Sequence, residues 1–255
     1  MIAALQILSA LAIIIIIILF VFQPKRKGGT EVPENYQDIL LDYVSFYTRL
    51  NGEERKRFDE KFEKFLAAVK ITGANAEIED LDRVLIGAAA VIPTFYIPDW
   101  EYINLREVLV YPGSFNTDFE QEGSERMVSG LIGSGGLEGV MILSKWELRQ
   151  GFIDGNNSRN VAIHEFVHLI DKMDGTIDGV PELLLERKYI AQWQQLLVTT
   201  MEQIRRGESD INPYGATSTV ECFPVLTEYF FEQPETFATR HPELNQMMQR
   251  IFMRK

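Results

Sequence analysis

Only three histidines occur in the 255 residues, and two stand four apart in His164-Glu165-Phe166-Val167-His168. Their neighbours Val161, Ala162, Ile163, Phe166, Val167, Leu169 and Ile170 are apolar. The segment from Asn160 to Lys172 therefore reads as a core helix, with Asn156, Asn157 and Ser158 offering capping groups before it. Residues four apart lie on one helix face about one turn apart, so both imidazoles leave the same side. Two imidazole nitrogens on one face suit a single Zn2+, with Glu165 beside them in reach of a water. The plainer alternative is a pair of satisfied histidines flanking a solvated glutamate. The helical context, and the scarcity of histidine elsewhere, favour the metal.

A catalytic zinc usually takes a third protein ligand and keeps one position for water. Spacing does not choose that ligand. Glu221 and Glu228 are seven apart, so both can share one helix face. Ser218-x-x-Glu221 equally fits a capping box, and Glu228 equally fits a solvated or supporting carboxylate. The physics leaves the two open, with a slight edge to Glu221. Asp171 follows His168 by three residues, a spacing that suits a buttress for a ligand histidine or a neighbouring helix. His241 precedes Pro242 and reads as a helix-start residue.

Ile2 to Phe22 is a run of 21 residues whose polar members are Gln6 and Ser9. As a helix it would reach about 32 Å, enough for the hydrocarbon of a bilayer. A cleaved signal would carry its charge before the run. Here Lys25, Arg26 and Lys27 follow it, which predicts a single-pass protein of the cytoplasmic membrane with its body on the cytoplasmic side. The expected division is a transmembrane anchor over 1–23, a linker over 24–34 and a soluble domain over 35–255. The overall charge of −12 separates into three basic residues near the anchor and a net −15 beyond residue 30. That balance argues against a nucleic-acid partner, which needs clustered Lys and Arg. One cysteine excludes an internal disulfide.

Apolar periodicity predicts helices over 36–50, 53–69, 77–91, 181–203, 219–232 and 242–253. Glu107 to Tyr111 and Gly139 to Ser144 read as short strands. Gly133 to Gly136 lacks the lysine and strand–helix context of a phosphate cradle and reads as a turn. The fold class is α+β, mostly helical with a small sheet.

The chain resembles the Mlc titration factor A family, the glucose-regulated metallopeptidases. The resemblance rests on HEFVHLID followed by Lys172-Met173-Asp174-Gly175, on Trp193, and on Tyr214…Glu221-Cys222-Phe223…Glu228-Tyr229-Phe230-Phe231-Glu232-Gln233-Pro234-Glu235. Val110-Tyr111-Pro112 and Val140 to Ser144 also fit, so the likeness covers roughly residues 40–250. It implies one zinc per chain on His164, His168 and Glu221, with Glu165 as general base and Tyr214 donating to a developing oxyanion. It also implies a zincin-like core whose cleft is lined by a short strand, for which residues 139–144 are the candidate. The implied activity is hydrolysis of peptide or protein substrates, leaning toward small aminopeptidase-type ones. The alternative it implies is a membrane-tethered module that captures a cytoplasmic transcriptional regulator, with zinc structural. Pro224 departs from the family pattern. Inside a helix capped by Ser218 it removes a bond to Val220, and the expected kink bears on the aim of Glu228.

Overall fold

The structure is a computed structural model that describes residues 28–114, 130–133, 135–153 and 159–253. The expected span Ile2–Phe22 and the expected capping residues Asn156, Asn157 and Ser158 lie outside the described residues. Among the described residues, no helix is long and apolar enough to cross a membrane.

Phe58, Phe62, Phe65 and Leu66 recur at helical spacing and form the buried face of one long helix. The preceding segment is two helices, α1 (Tyr36–Tyr43) and α2 (Ser45–Thr48), rather than the single one expected over 36–50. Val44 between them is extended and buried, and the break turns Tyr47 and Phe46 onto Phe58 at 5.2 and 6.2 Å between ring centroids. The long helix is α3 (Gly52–Ala68), begun by a reciprocal capping box between Asn51 and Glu54. After strand β1 (Lys70–Gly73) comes α4 (Asp80–Val91), which a second box between Glu79 and Asp82 starts three residues later than periodicity suggests. Its second half is wholly buried, and Pro93 converts its end to a 3-10 turn over Ile92–Thr94.

The sheet adds β2 (Glu107–Tyr111), β3 (Gly130–Ile132) and β4 (Val140–Ser144) to β1. Its order is β1-β2-β4-β3, parallel until β3, which runs antiparallel to β4 with Leu131 opposite Ile142. The sequence indicates β2 and β4. It misses β1 and β3, which at four and three residues are too short to show alternation. It also misses α5 (Lys145–Ile153), which follows β4 directly. Lys145 and Arg149 of α5 meet the fully buried carboxylate of Asp82 at 3.3 and 2.7 Å, tying α5 to α4.

The C-terminal half contains α6 (Val161–Asp171), α7 (Arg187–Arg205), α8 (Thr219–Glu232), α9 (Pro234–Arg240) and α10 (Pro242–Phe252). The helix expected from 181 begins at Arg187 instead. The carbonyl of Pro181 takes the N–H groups of Leu184 and Leu185 in a turn, and the Asp178 and Asp174 carboxylates take those of Val180 and Glu182. Those side chains offer the backbone a competing set of partners.

One residue in that loop joins three helices. The Gly179 N–H donates to Asp171 Oδ2 at the end of α6 (2.8 Å), and its carbonyl accepts from Trp193 Nε1 of α7 (2.8 Å). Gly179 has φ +84°, and a Cβ there would fall 2.3 Å from the carbonyl oxygen of Thr219 at the start of α8. Only glycine fits that position. Asp171 thus fastens the loop behind α6 and makes no ion pair with a histidine; its Oδ1 has no partner among the described residues. Ahead of α1, Thr30 is bonded through N and Oγ1 to the carbonyls of Leu66 and Val69, at 2.7 and 2.9 Å.

Burial raises the Asp171 carboxyl to about 6, against the opposing Gly179 N–H. A folded-state pKa above the unfolded value near 3.8 means that stability is greatest with the acid protonated and falls as pH rises through about 6. Asp171→Asn keeps an acceptor for Gly179 without the charge. Urea unfolding of the two proteins should show wild type losing on the order of 2–3 kcal/mol relative to the variant between pH 4 and 6.5. A stability difference that stays constant across that window contradicts this role.

Candidate metal centre

Every residue of α6 from Ala162 to Asp171 is buried, so its polar side chains must find partners inside the protein. The helix starts at Asn160, whose Oδ1 accepts from the Ile163 N–H at 3.1 Å. Asparagine just before an apolar helical pattern is itself a start signal, and the cap lies two residues beyond Ser158, the last of the expected capping residues. His164, Glu165 and His168 then stand on the face turned toward α8 and β3.

His164 is held from both sides. Its Nδ1–H donates to Glu228 Oε1 at 2.7 Å, while its Nε2 lies 2.9 Å from Glu221 Oε2. The same Glu221 oxygen lies 3.5 Å from His168 Nε2. Nitrogen and oxygen ligand atoms of His164, His168 and Glu221 all fall within 4.8 Å of one another. The geometry thereby separates the two glutamates. Glu221 shares a focus with both imidazoles, and Glu228 stands behind His164. Glu228 also accepts from the Asn160 N–H with its other oxygen, so one carboxylate ties the start of α6 to the ring it carries. Pro224 lies inside α8, between the two glutamates, and Glu228 nevertheless reaches His164. The proline therefore leaves Glu228 aimed at His164.

The charges follow from these contacts. Burial opposes protonation of His164, but hydrogen bonds to Glu221 and Glu228 outweigh it and push the imidazole up to about 10. Burial also works against an ionised Glu221, yet the two histidines hold it well below the usual carboxylate range. Burial raises Glu165, against the pull of both histidines. The donor set of two imidazoles and one carboxylate, with the far nitrogen of one ring oriented by a second carboxylate, fits a divalent metal of the zinc type. His168 is the less constrained ring: its Nδ1 is buried and has no partner among the described residues.

These groups open on a cavity of about 650 Å3 that Glu165, Glu221 and Tyr214 line together. The strand beside α6 at its edge is β3, not the expected 139–144 segment, which lies one place inward as β4. Gly130 of β3 packs directly on Glu165: a Cβ there would fall 2.6 Å from both its Cγ and Oε1. The contact leaves no local signal in the sequence, because it joins residues that only the sheet order brings together. Tyr214 sits in a 3-10 turn, Pro213–Ala216, whose start is capped by Asn212. Tyr214 is 52% exposed, and its ring lies 5.8 Å from that of His164 between centroids. Partial burial and the Glu221 charge raise its hydroxyl to about 12, so it stays a donor at neutral pH. His241, the third histidine, is remote from this chemistry. It binds Asp210 at 2.7 Å beside Tyr229 and Arg240, which anchors the chain four residues before Tyr214.

Comparisons with known proteins agree with this arrangement. The family model described as glucose-regulated metallo-peptidase M90 matches residues 22–253. Mlc titration factor A of Escherichia fergusonii is 32% identical over 236 residues, covering 87% of each chain. Mlc titration factor A of Cronobacter sakazakii is 31% identical over 210 residues, covering 76% of this chain and 77% of that one. An uncharacterized protein of Synechocystis is 29% identical over 246 residues, 91% of this chain and 88% of its own. A match over nearly the whole described domain, with relatives of similar length, shows that the chain belongs to the glucose-regulated metallo-peptidase M90 family.

Proposed function

We propose that the protein is a zinc-dependent peptidase held at the cytoplasmic face of the membrane by Ile2–Phe22. The observation that carries the catalytic reading is the convergence of His164, His168 and Glu221, with Glu165 beside them at the base of an open cavity. An α6 helix packed behind an antiparallel edge strand supports the zincin-like reading of the core.

His164, His168 and Glu221 would hold the metal, which when bound supplies Lewis-acid polarisation of a carbonyl and acidifies water. Glu228 keeps the His164 ring in one orientation and one tautomer by accepting from Nδ1. Glu165 takes a proton from the attacking water and passes it to the departing amine; its burial raises its proton affinity toward that task. Gly130 lets the Glu165 side chain lie flat against the edge strand. Tyr214, protonated and facing the cavity, donates to the oxygen on which charge develops.

A second reading rests on the relatives' printed name, Mlc titration factor A. In it the domain captures a regulatory protein, and the metal serves structure. Loss of Glu165 separates the two, because a binding module tolerates it.

Glu165→Gln should leave bound zinc unchanged, measured by atomic emission, and lower cleavage of a mixed peptide library by about 10²- to 10⁴-fold. Undiminished cleavage by the zinc-loaded variant contradicts the general-base role. Glu228→Leu should weaken zinc binding by about 10- to 100-fold in a chelator competition, because His164 Nδ1 then has no acceptor to orient the ring. Unchanged affinity places Glu228 outside the centre. Gly130→Ala should lower kcat with zinc content intact, since the added methyl displaces Glu165; full activity contradicts the contact.

A further inference from the structure

A second cavity, of about 400 Å3, shares no lining residue with the cavity at the metal centre. Phe65 and Ala68 in the last turns of α3, Val69 just after it and Val91 at the end of α4 give it an apolar lining. Half-buried Trp100 and exposed Ile103 also line it; at 65%, Ile103 is the most exposed large apolar side chain among the described residues. The lining also carries both signs of charge. Lys64 is paired with Glu101 at 2.7 Å. Lys61 is half-buried and donates to the carbonyls of Ile97 and Thr94, at 2.7 and 3.3 Å, and among the described residues no carboxylate lies within ion-pair distance of it. Glu60 and Asp99 also line the cavity.

The position of the chain's N-terminal part gives this cavity a neighbour. Thr30 is bonded to the carbonyls of Leu66 and Val69, at the same end of α3 that lines the cavity. Phe22 to Gly28 spans six residue steps, about 20 Å when fully extended. If Ile2–Phe22 crosses the bilayer, as the proposed function has it, the cavity opens within a short tether of the membrane surface. An aromatic ring and an exposed aliphatic side chain beside cationic groups are what a membrane interface accommodates.

We propose that this face rests on the bilayer and that the cavity receives an acyl chain of a phospholipid. The chain lies on Phe65, Ala68, Val69 and Val91. The phosphate faces the Lys61 ammonium, and a headgroup ammonium faces Glu60 and Asp99. Trp100 and Ile103 sit at the level of the headgroups.

The inference rests on the membrane-anchored reading, and one experiment separates the two. The full chain is reconstituted in vesicles of phosphatidylethanolamine and phosphatidylglycerol carrying acyl-chain spin-labelled phosphatidylcholine, and the vesicles are floated before tryptophan fluorescence is read. The protein should float, spin-labelled lipid should quench it, and Trp100→Phe should remove most of that quenching while Trp146→Phe leaves it. Ile103→Glu, with an unchanged circular dichroism spectrum, should also reduce the quenching. Protein that fails to float overturns both the anchor and this assignment. Protein that floats but is quenched equally with and without Trp100 overturns the assignment alone. So does a Trp100 shielded from both aqueous iodide and labelled lipid, which would mean that the cavity holds a protein segment.

Discussion

The structure turns on His164 lying between two carboxylates. A histidine in a helix buried on every side is costly unless both ring nitrogens are engaged, and here Glu228 takes one while Glu221 faces the other. Both glutamates come from α8, one on each side of Pro224, so the packing of α6 on α8 is also the assembly of the centre. The apolar residues of the two helices supply the burial. Ile163, Phe166, Val167, Phe223 and Leu226 are at most 1% exposed, each worth roughly 1.5–3 kcal/mol in transfer free energy. Burial and the polar arrangement reinforce one another: the core excludes water from the hydrogen bonds, and the hydrogen bonds fix how the helices face.

Parts distant in the chain hold this arrangement in place. Gly179 joins the end of α6 to α7 and abuts the start of α8, so the loop between the first two helices positions the third. Asp210 gathers Tyr229, Arg240 and His241, which steadies the chain leading to Tyr214. The sheet contributes through its short edge strand. β3 brings Gly130 against Glu165, and the absence of a side chain there gives the glutamate its room.

Much of this was legible in the sequence because it is local. Four-residue spacing put His164 and His168 on one face, and the apolar positions around them announced a core helix. Residues 107–111 and 219–232 were bounded as found, since a turn signal or a capping serine marks their ends. What was not legible depends on pairing between remote segments. Glu221 and Glu228 look alike in sequence, and only the rotation of α8 against α6 assigns one to the focus and the other to the back of His164. The edge strand was misassigned to 139–144 because a five-residue apolar strand is a stronger signal than a three-residue one, whichever lies at the edge. Asp171 sits three residues from His168, but the backbone of Gly179 outcompetes the ring for its carboxylate.

A single metal centre on His164, His168 and Glu221 has a direct spectroscopic signature. Zinc K-edge X-ray absorption of the zinc-loaded protein measures the ligand set directly. One zinc with two imidazole rings and otherwise oxygen ligands is expected, reduced to one imidazole in His168→Ala. A sulfur scatterer from Cys222, or coordination by oxygen alone, would contradict it.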